Sequence, residues 1–376
     1  MTQEPLDPVT LTTELIRFPS LNPPGLEADI VAYLGDLLRE AGFSVAQSAF
    51  AEGRPSIVAT IQGSEDLDAL VFAGHIDVVP LGETPWSHPP FEGTIVDGRL
   101  YGRGASDMKS GVAAYVAAAV NQARKDKAFR RSMTLVIVSG EETGCEGSFH
   151  LAREGLLGDA GFMVVAEPSS NLPVIAHKGS LRLSVTARGR TAHSSMPWVG
   201  DNAVSKIARF IRACNLHRFD IPDHPLLGAP SASVTTVTGG MNINSVPDAA
   251  GFTVDIRTLP DQNHAEVVSE LQALWGDDAE IEVITNFKGF STEPDDPALE
   301  PLMGILETRL GARPTPTGEP YFTDASALVP AYGNVPTVVL GPGLSEQCHR
   351  TDEYCEVQSI RDCADIYDAL ITAICR

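Results

Sequence analysis

The chain has 376 residues, 49 of them acidic against 27 basic, and a formal net charge of −22 with histidines neutral. That length is more than one hydrophobic core usually serves, so two domains are expected. Ordinary apolar, glycine and proline contents exclude disordered, collagen-like and solenoid architectures, and the acidic surplus argues against nucleic acid or an anionic membrane as partner, since both are held by clustered Lys and Arg.

The first residues, MTQEPLDPVTL, lack a basic region followed by an apolar core, and no run of about twenty apolar residues occurs, so a soluble cytoplasmic protein is expected. Six cysteines (Cys145, Cys214, Cys348, Cys355, Cys363 and Cys375) fall without CxxC spacing. They read as structural thiols rather than a disulfide framework or a thiolate metal site.

In chain order, LEADIVAYLGDLLREA (26–41) places apolar residues at helical spacing, and Gly42 ends it as a C-cap glycine does. Short apolar runs at 56–61, 69–75, 133–140 and 161–167 suit strands covered on both faces. Between them, KSGVAAYVAAAVNQAR (109–124) reads as a buried alanine-rich helix and CEGSFHLAREG (145–155) as another. The alternation predicts an α/β fold with a sheet between helical layers.

After about His177 the texture changes. SLRLSVTARG (180–189), SVTTVTGG (233–240) and GFTVDIRTL (251–259) alternate as half-buried strands do, with a helix at 201–215, another from His264 to Leu274, and a strand at 281–287. This β-α-β-β-α-β order is the split arrangement of ferredoxin-like folds. A helix at 298–310 and a strand at 336–341 then return to the first texture. The expected organisation is a discontinuous catalytic domain, 1–177 and 289–376, holding a mixed sheet, with an inserted ferredoxin-like α+β domain at 178–288.

In open α/β sheets ligands gather outside the carboxyl ends of the strands. Those ends carry His75 and Asp77, then Glu141 and Glu142, then Glu167, and the 336–341 strand leads toward His349; Asp107 precedes the 109–124 helix within YGRGASDMKSG. Taken singly, each has an ordinary structural reading: a His-x-Asp terminus satisfied by hydrogen bonds, or an acidic pair complementing a helix dipole. Taken together, two histidines and five carboxylates at adjacent strand ends require cations between them. The GRGASDMKS stretch lacks the glycine before Lys109 that a phosphate-binding loop needs. His88, His150, His217, His224 and His264 have no comparable setting and read as surface or structural residues.

Imidazoles and carboxylates without thiolate suit zinc, cobalt or manganese. The number of carboxylates is enough for a pair of ions about 3.5–4 Å apart sharing one bridging carboxylate. Of two adjacent glutamates, one can then serve as ligand while its neighbour stays free as a general base.

At this point the stretches GHIDVVP (74–80), WSHPPFEGTIVDGRLYGRGASDMKSGVAA (86–114), SGEETGCEGS (139–148), AEPSS (166–170) and GPGLSEQCH (341–349) resemble the co-catalytic zinc amidohydrolases and metallopeptidases of peptidase family M20. That family includes succinyl-diaminopimelate desuccinylase, acetylornithine deacetylase, aminoacylase and glutamate carboxypeptidase. The resemblance implies two Zn2+ ions, with Co2+ or Mn2+ as substitutes. His75, Asp107 and Glu167 would hold one; Asp107, Glu142 and His349 the other. It also implies Glu141 as general base for a hydroxide bridging the metals, Asp77 behind His75, and a cis peptide after Asp107.

From the inserted domain it implies His193 as oxyanion stabiliser, Asn244 and Arg257 as contacts for the substrate carboxylate, and a homodimer formed through a lid. The implied reaction removes an acetyl or succinyl group from an N-acyl amino acid such as N-acetylornithine or N-succinyl-diaminopimelate; the alternative is a dipeptidase or carboxypeptidase. Desuccinylases carry two arginines where this chain has His177 and Lys178, which leaves Lys178 as the charged candidate for the succinyl end.

Overall fold

The computed structural model describes residues 4–125 and 127–376. The chain forms two compact units. One takes Met1–Ile175, Thr292–Thr317 and Thr323–Arg376; the other takes Ala176–Ser291 with Gly318–Phe322.

In the first unit the apolar runs become the centre of a sheet. Met133–Val138, Ala69–His75, Ala160–Val165 and Thr337–Val339 lie side by side in that order, all parallel. The first two are buried at every residue, as strands covered on both faces are. Pro55–Ile61 and Ser44–Ala49 extend the sheet antiparallel on one side, and Val174 pairs antiparallel with Val339 on the other, so the sheet is mixed as expected. The connection leaving Ala69–His75 runs to the neighbour on one side, while that leaving Met133–Val138 crosses to the neighbour on the other. Strand order therefore reverses at Ala69–His75, where open α/β sheets form their crevice.

Helix Lys109–Ala123 is buried on nearly every side. Its alanines and Gly111 let it lie close against the strand ends: a Cβ on Gly111 would stand 2.1 Å from the Ala166 carbonyl oxygen. This contact fixes the segment after Asp107 against the residue before Glu167. Helix Val357–Cys375 packs over Lys109–Ala123, and Phe72 meets both, its ring 5.8 Å from Tyr115 and 5.0 Å from Tyr367.

Helices Pro8–Ile16 and Val357–Cys375 fall outside the elements expected above. The first is marked by Asp7, whose carboxylate accepts from Thr10 N, followed by Pro8 at the first helical position. The second buries Ile360, Cys363, Tyr367, Leu370 and Ile371, a helical spacing visible in the sequence. Ser44–Ala49 is a largely exposed edge strand with no apolar run to announce it. Among the described residues no helix is long and apolar enough to cross a membrane.

In the second unit the order is Gly179–Arg188, Ala203–Leu216, Ser231–Gly239, Ala249–Thr258, His264–Trp275 and Ala279–Phe287. Its four strands are antiparallel, with Ala249–Thr258 and Gly179–Arg188 in the middle and Ser231–Gly239 and Ala279–Phe287 at the edges. Alternation along the central strands sends Leu181, Leu183 and Val185 together with Phe252, Val254 and Ile256 into one core with Phe210 and Trp275 of the two helices. The Trp275 indole also donates to Phe210 O at 3.0 Å, so the largest core side chain is satisfied as well as packed.

Candidate metal centre

Parallel strands deliver their last residues to one edge of the sheet, and there the first unit gathers His75, Asp77, Asp107, Glu141, Glu142, Glu167 and His349. His75 closes its strand, 1% exposed. Its Nε2 lies 3.2 Å from Asp107 Oδ1 and 3.7 Å from Glu167 Oε1. His349, in the left-handed region at φ 62° and 54% exposed, places its Nε2 3.4 Å from Asp107 Oδ2 and 3.0 Å from Glu142 Oε2. Asp107 thus turns one oxygen to each imidazole, and each imidazole has a second carboxylate of its own. One ligand atom each from His75, Asp107 and Glu142 falls within 4.8 Å of the others.

These spacings fit divalent cations. Tetrahedral ligands at zinc bond lengths of about 2.0–2.2 Å sit about 3.3–3.6 Å from one another. The four imidazole–carboxylate separations of 3.2, 3.7, 3.4 and 3.0 Å bracket that range. Two ions sharing Asp107 would use all five side chains, and the N,O donor set without thiolate suits zinc, cobalt or manganese. The peptide between Asp107 and Met108 is cis.

The electrostatics of the protein alone show the same need for positive charge. Burial pushes the Glu141 and Glu167 carboxyls well above the ordinary range, reinforced by each other's neighbours, Glu142 and Asp107, and by Asp324; His75 pulls them back only partly. Glu142 is raised by burial and by Asp107 against the His349 hydrogen bond. Burial works against the charged form of His75, but Glu167, Asp107 and Asp77 together raise it well above its usual value. Hydrogen bonds that its ring donates to Asp107 and Glu142 lift His349 to about 10. Asp107, although buried, is held far down by its bonds to His349 and His75. Carboxylates outnumber cationic partners, a deficit that bound cations relieve.

Asp77 acts both on His75, whose charged form it favours, and on the glutamate pair. The His75 ring pairs through Nδ1 with the Asp77 backbone carbonyl at 3.0 Å, while the nearest Asp77 carboxylate oxygen is 3.6 Å away. That buried carboxylate accepts from Glu141 N and Glu142 N, both at 3.1 Å, and from Asn22 Nδ2 at 2.8 Å. It therefore fixes the turn from which Glu141 and Glu142 diverge. Among the described residues the carboxylates paired with the two imidazoles are those of Asp77, Asp107, Glu142 and Glu167, which leaves Glu141 uncommitted to either. Asn22 is a site residue that the sequence reading does not single out; its role lies in a contact with Asp77 across 55 positions.

The second unit holds the remaining candidates. His193 and Asn244 are brought together: Ser194 N donates to Asn244 O at 3.0 Å, and His193 bridges Ser245. His193 Nδ1 accepts from Ser195 N at 3.1 Å, so the neutral ring carries its proton on Nε2, free to donate. Arg257 turns its guanidinium onto Asp255, Nε 2.8 Å from Oδ1. Lys178 is buried and donates to Ala229 O, and burial with the nearby Arg257 charge lowers its pKa. Burial presses His177 down to about 4, so it is uncharged at neutral pH.

A family model, Peptidase family M20/M25/M40, matches residues 71–373. The chain is 31% identical over 386 residues to a succinyl-diaminopimelate desuccinylase of Cereibacter sphaeroides, covering 98% of each. It is 28% identical over 398 residues to a probable succinyl-diaminopimelate desuccinylase of Staphylococcus epidermidis, covering 98% of this chain and 97% of the relative. The fold is similar to that of aminopeptidase PepT from Bacillus cereus, with a TM-score of 0.81 at 22% identity over 98% of each chain.

Proposed function

Because this chain belongs to peptidase family M20/M25/M40 and is a hydrolase of that family, we propose that it removes an acyl group, succinyl or acetyl, from an N-acyl amino acid such as N-succinyl-diaminopimelate or N-acetylornithine, using two divalent metal ions. The observation that carries this reading is Asp107, whose two oxygens face two imidazoles, each backed by a second carboxylate. His75, Asp107 and Glu167 would hold one ion, and Asp107, Glu142 and His349 the other. When bound, such ions polarise an acyl carbonyl and make water nucleophilic near neutral pH.

The chain's own groups do the rest. Glu141, next to a ligand yet paired with neither imidazole, takes the proton of the attacking water and returns it to the leaving amine. Asp77 holds the turn so that Glu142 faces the ions while Glu141 stays free. We assign to His193 Nε2–H the developing oxyanion, and to Asn244 and Arg257 the carboxylate of the amino acid. Arg257 must exchange Asp255 for that carboxylate. Since His177 is neutral, Lys178 is left as the cation of that pair for a succinyl end. The relatives named desuccinylase favour succinyl over acetyl. A homodimer through the second unit is part of the same reading, supported by the exposed edge strand Ser231–Gly239 with its exposed Val237, and by the exposed Met241 and Ile243 that follow it.

The test is kcat/KM of the zinc-loaded protein across N-succinyl-diaminopimelate, N-acetylornithine and a set of dipeptides. The reading predicts the highest value on an N-acyl amino acid. Faster turnover of dipeptides would replace it with the peptidase alternative, and no turnover of any amide would overturn it.

A further inference from the structure

One buried carboxylate that the proposed reaction does not use ties the two sides of the metal centre together. Glu353 is fully buried. Its Oε1 accepts from Ser106 N at 2.8 Å and Asp107 N at 3.0 Å, while its Oε2 accepts from Gly104 N at 3.0 Å and Arg103 Nη1 at 2.7 Å. A carboxylate has about four lone-pair sites, and all are taken by donors. The group is thereby held ionised against a burial that pushes its pKa up. Successive backbone N–H groups turned onto one anion form a nest, a rigid arrangement compared with a loop solvated by water.

The loop so gripped ends on Asp107, and Glu353 follows His349 by four residues. Other bonds zip the same two segments. Gly102 N donates to Glu353 O at 2.9 Å, Arg103 Nη1 to Arg350 O at 3.1 Å, and Ser106 Oγ to Leu344 O at 3.0 Å while accepting from Leu344 N at 2.7 Å. Arg103 is anchored in turn, donating to Pro80 O at 3.2 Å and lying 5.1 Å from the Trp86 ring. From these contacts we infer that Glu353 is a positioning residue, whose Arg103-anchored carboxylate sets the separation between Asp107 and His349 and so the shape of the metal site they share. The inference rests on the reading of Asp107 and His349 as metal ligands.

The physical reason is one of reach. Asp107 presents an oxygen to each imidazole only while its backbone is fixed, and His349 sits on an exposed loop in a left-handed conformation. A clamp that grips both segments at one buried anion holds both ligands in register, and groups in this outer position change metal affinity by about 10–100-fold when removed.

The experiment compares wild type, Glu353→Gln and Asp107→Asn, each stripped and titrated with Co2+ while the visible absorption of the bound ion is followed. The expected result is a folded Glu353→Gln protein in which one Co2+ binds about 10–100-fold more weakly, the absorption bands shift, and kcat on the N-acyl substrate falls with KM little changed. Wild-type affinity and spectrum in folded Glu353→Gln, with ions lost from Asp107→Asn, would overturn the positioning role and leave the metal reading intact. Both ions retained with an unaltered spectrum in Asp107→Asn would overturn both. Because Glu353→Gln leaves Arg103 buried without its counter-charge, the double variant Arg103→Met with Glu353→Gln is measured alongside. It removes the charge pair while keeping one acceptor, and the same loss of affinity and band shift are expected of it; wild-type binding would overturn the clamp.

Discussion

Replacing Asp77 by asparagine separates what its carboxylate does for the fold from what it does for the metal site. Oδ2 accepts from Glu142 N and Asn22 Nδ2, and Oδ1 from Glu141 N. An asparagine that keeps its carbonyl at the Oδ2 position retains two of these bonds and turns its NH2 toward Glu141 N–H, leaving a buried donor unpaired. That costs about 1–3 kcal/mol, and the change of the other two bonds from charge-assisted to neutral costs about 1 kcal/mol each. One negative charge also leaves a cluster crowded with carboxylates, which relieves Asp324 and Glu27 but takes a counter-charge from His75. These two electrostatic effects oppose each other, so the net loss in the metal-free protein stays at about 3–5 kcal/mol.

With ions bound, the removed charge is an attraction instead, and the freed turn no longer fixes Glu142, so metal affinity should fall about 10–100-fold. Urea denaturation of the metal-free protein gives the first quantity, and Co2+ titration against a chelator the second. A variant destabilised as expected but unchanged in metal affinity and turnover would refute the claim that Asp77 holds the glutamate turn for the metal site.

Glu141→Gln should lower kcat by about 100–10,000-fold while both ions remain bound, checked by steady-state rates and metal content; retained turnover would remove Glu141 as base. His177, pressed down to about 4, contributes stability that is fully present above about pH 6.5 and is lost as pH falls toward 4, because the unfolded chain takes its proton first. The stability of wild type relative to His177→Gln should therefore drop by roughly 3 kcal/mol across that window in denaturation at a series of pH values. Trp275→Ala, at a site 4% exposed and packed on Phe252, should destabilise the second unit by about 3–5 kcal/mol. Its thermal transition reports this.

Much of the first unit's architecture was legible because parallel central strands must be apolar throughout. Ala69–His75 and Met133–Val138 stand out as runs, and the polar residues ending them, His75, Glu141 and Glu142, stand out against them. Two adjacent glutamates and a one-residue His-Asp spacing mark these strand ends as candidates, while the division of roles among them comes only from the family resemblance. What the pattern does not contain is partnership over distance. Asp77 reads as a support for His75 two residues away, yet its carboxylate binds backbone N–H groups 64 and 65 positions on.

Asn22 and Glu353 carry no local signal at all. Each looks like an ordinary polar residue until folding sets it against Asp77 or the Gly104–Asp107 loop. Helix Val357–Cys375 is a different case, since the spacing of Ile360, Cys363, Tyr367, Leu370 and Ile371 is helical in the sequence itself. The second unit was readable in order from its alternating strands, because one sheet face meets the helices and the other meets water.

The most direct test of the account is a metal titration of the stripped protein, followed by hydrolysis of N-succinyl-diaminopimelate and N-acetylornithine. The account predicts no turnover without metal, turnover that rises as up to two equivalents of Zn2+ per chain are bound, and loss of that binding in Asp107→Ala. Full activity in the presence of a strong chelator, or no activity on any N-acyl amino acid at any metal loading, would contradict it.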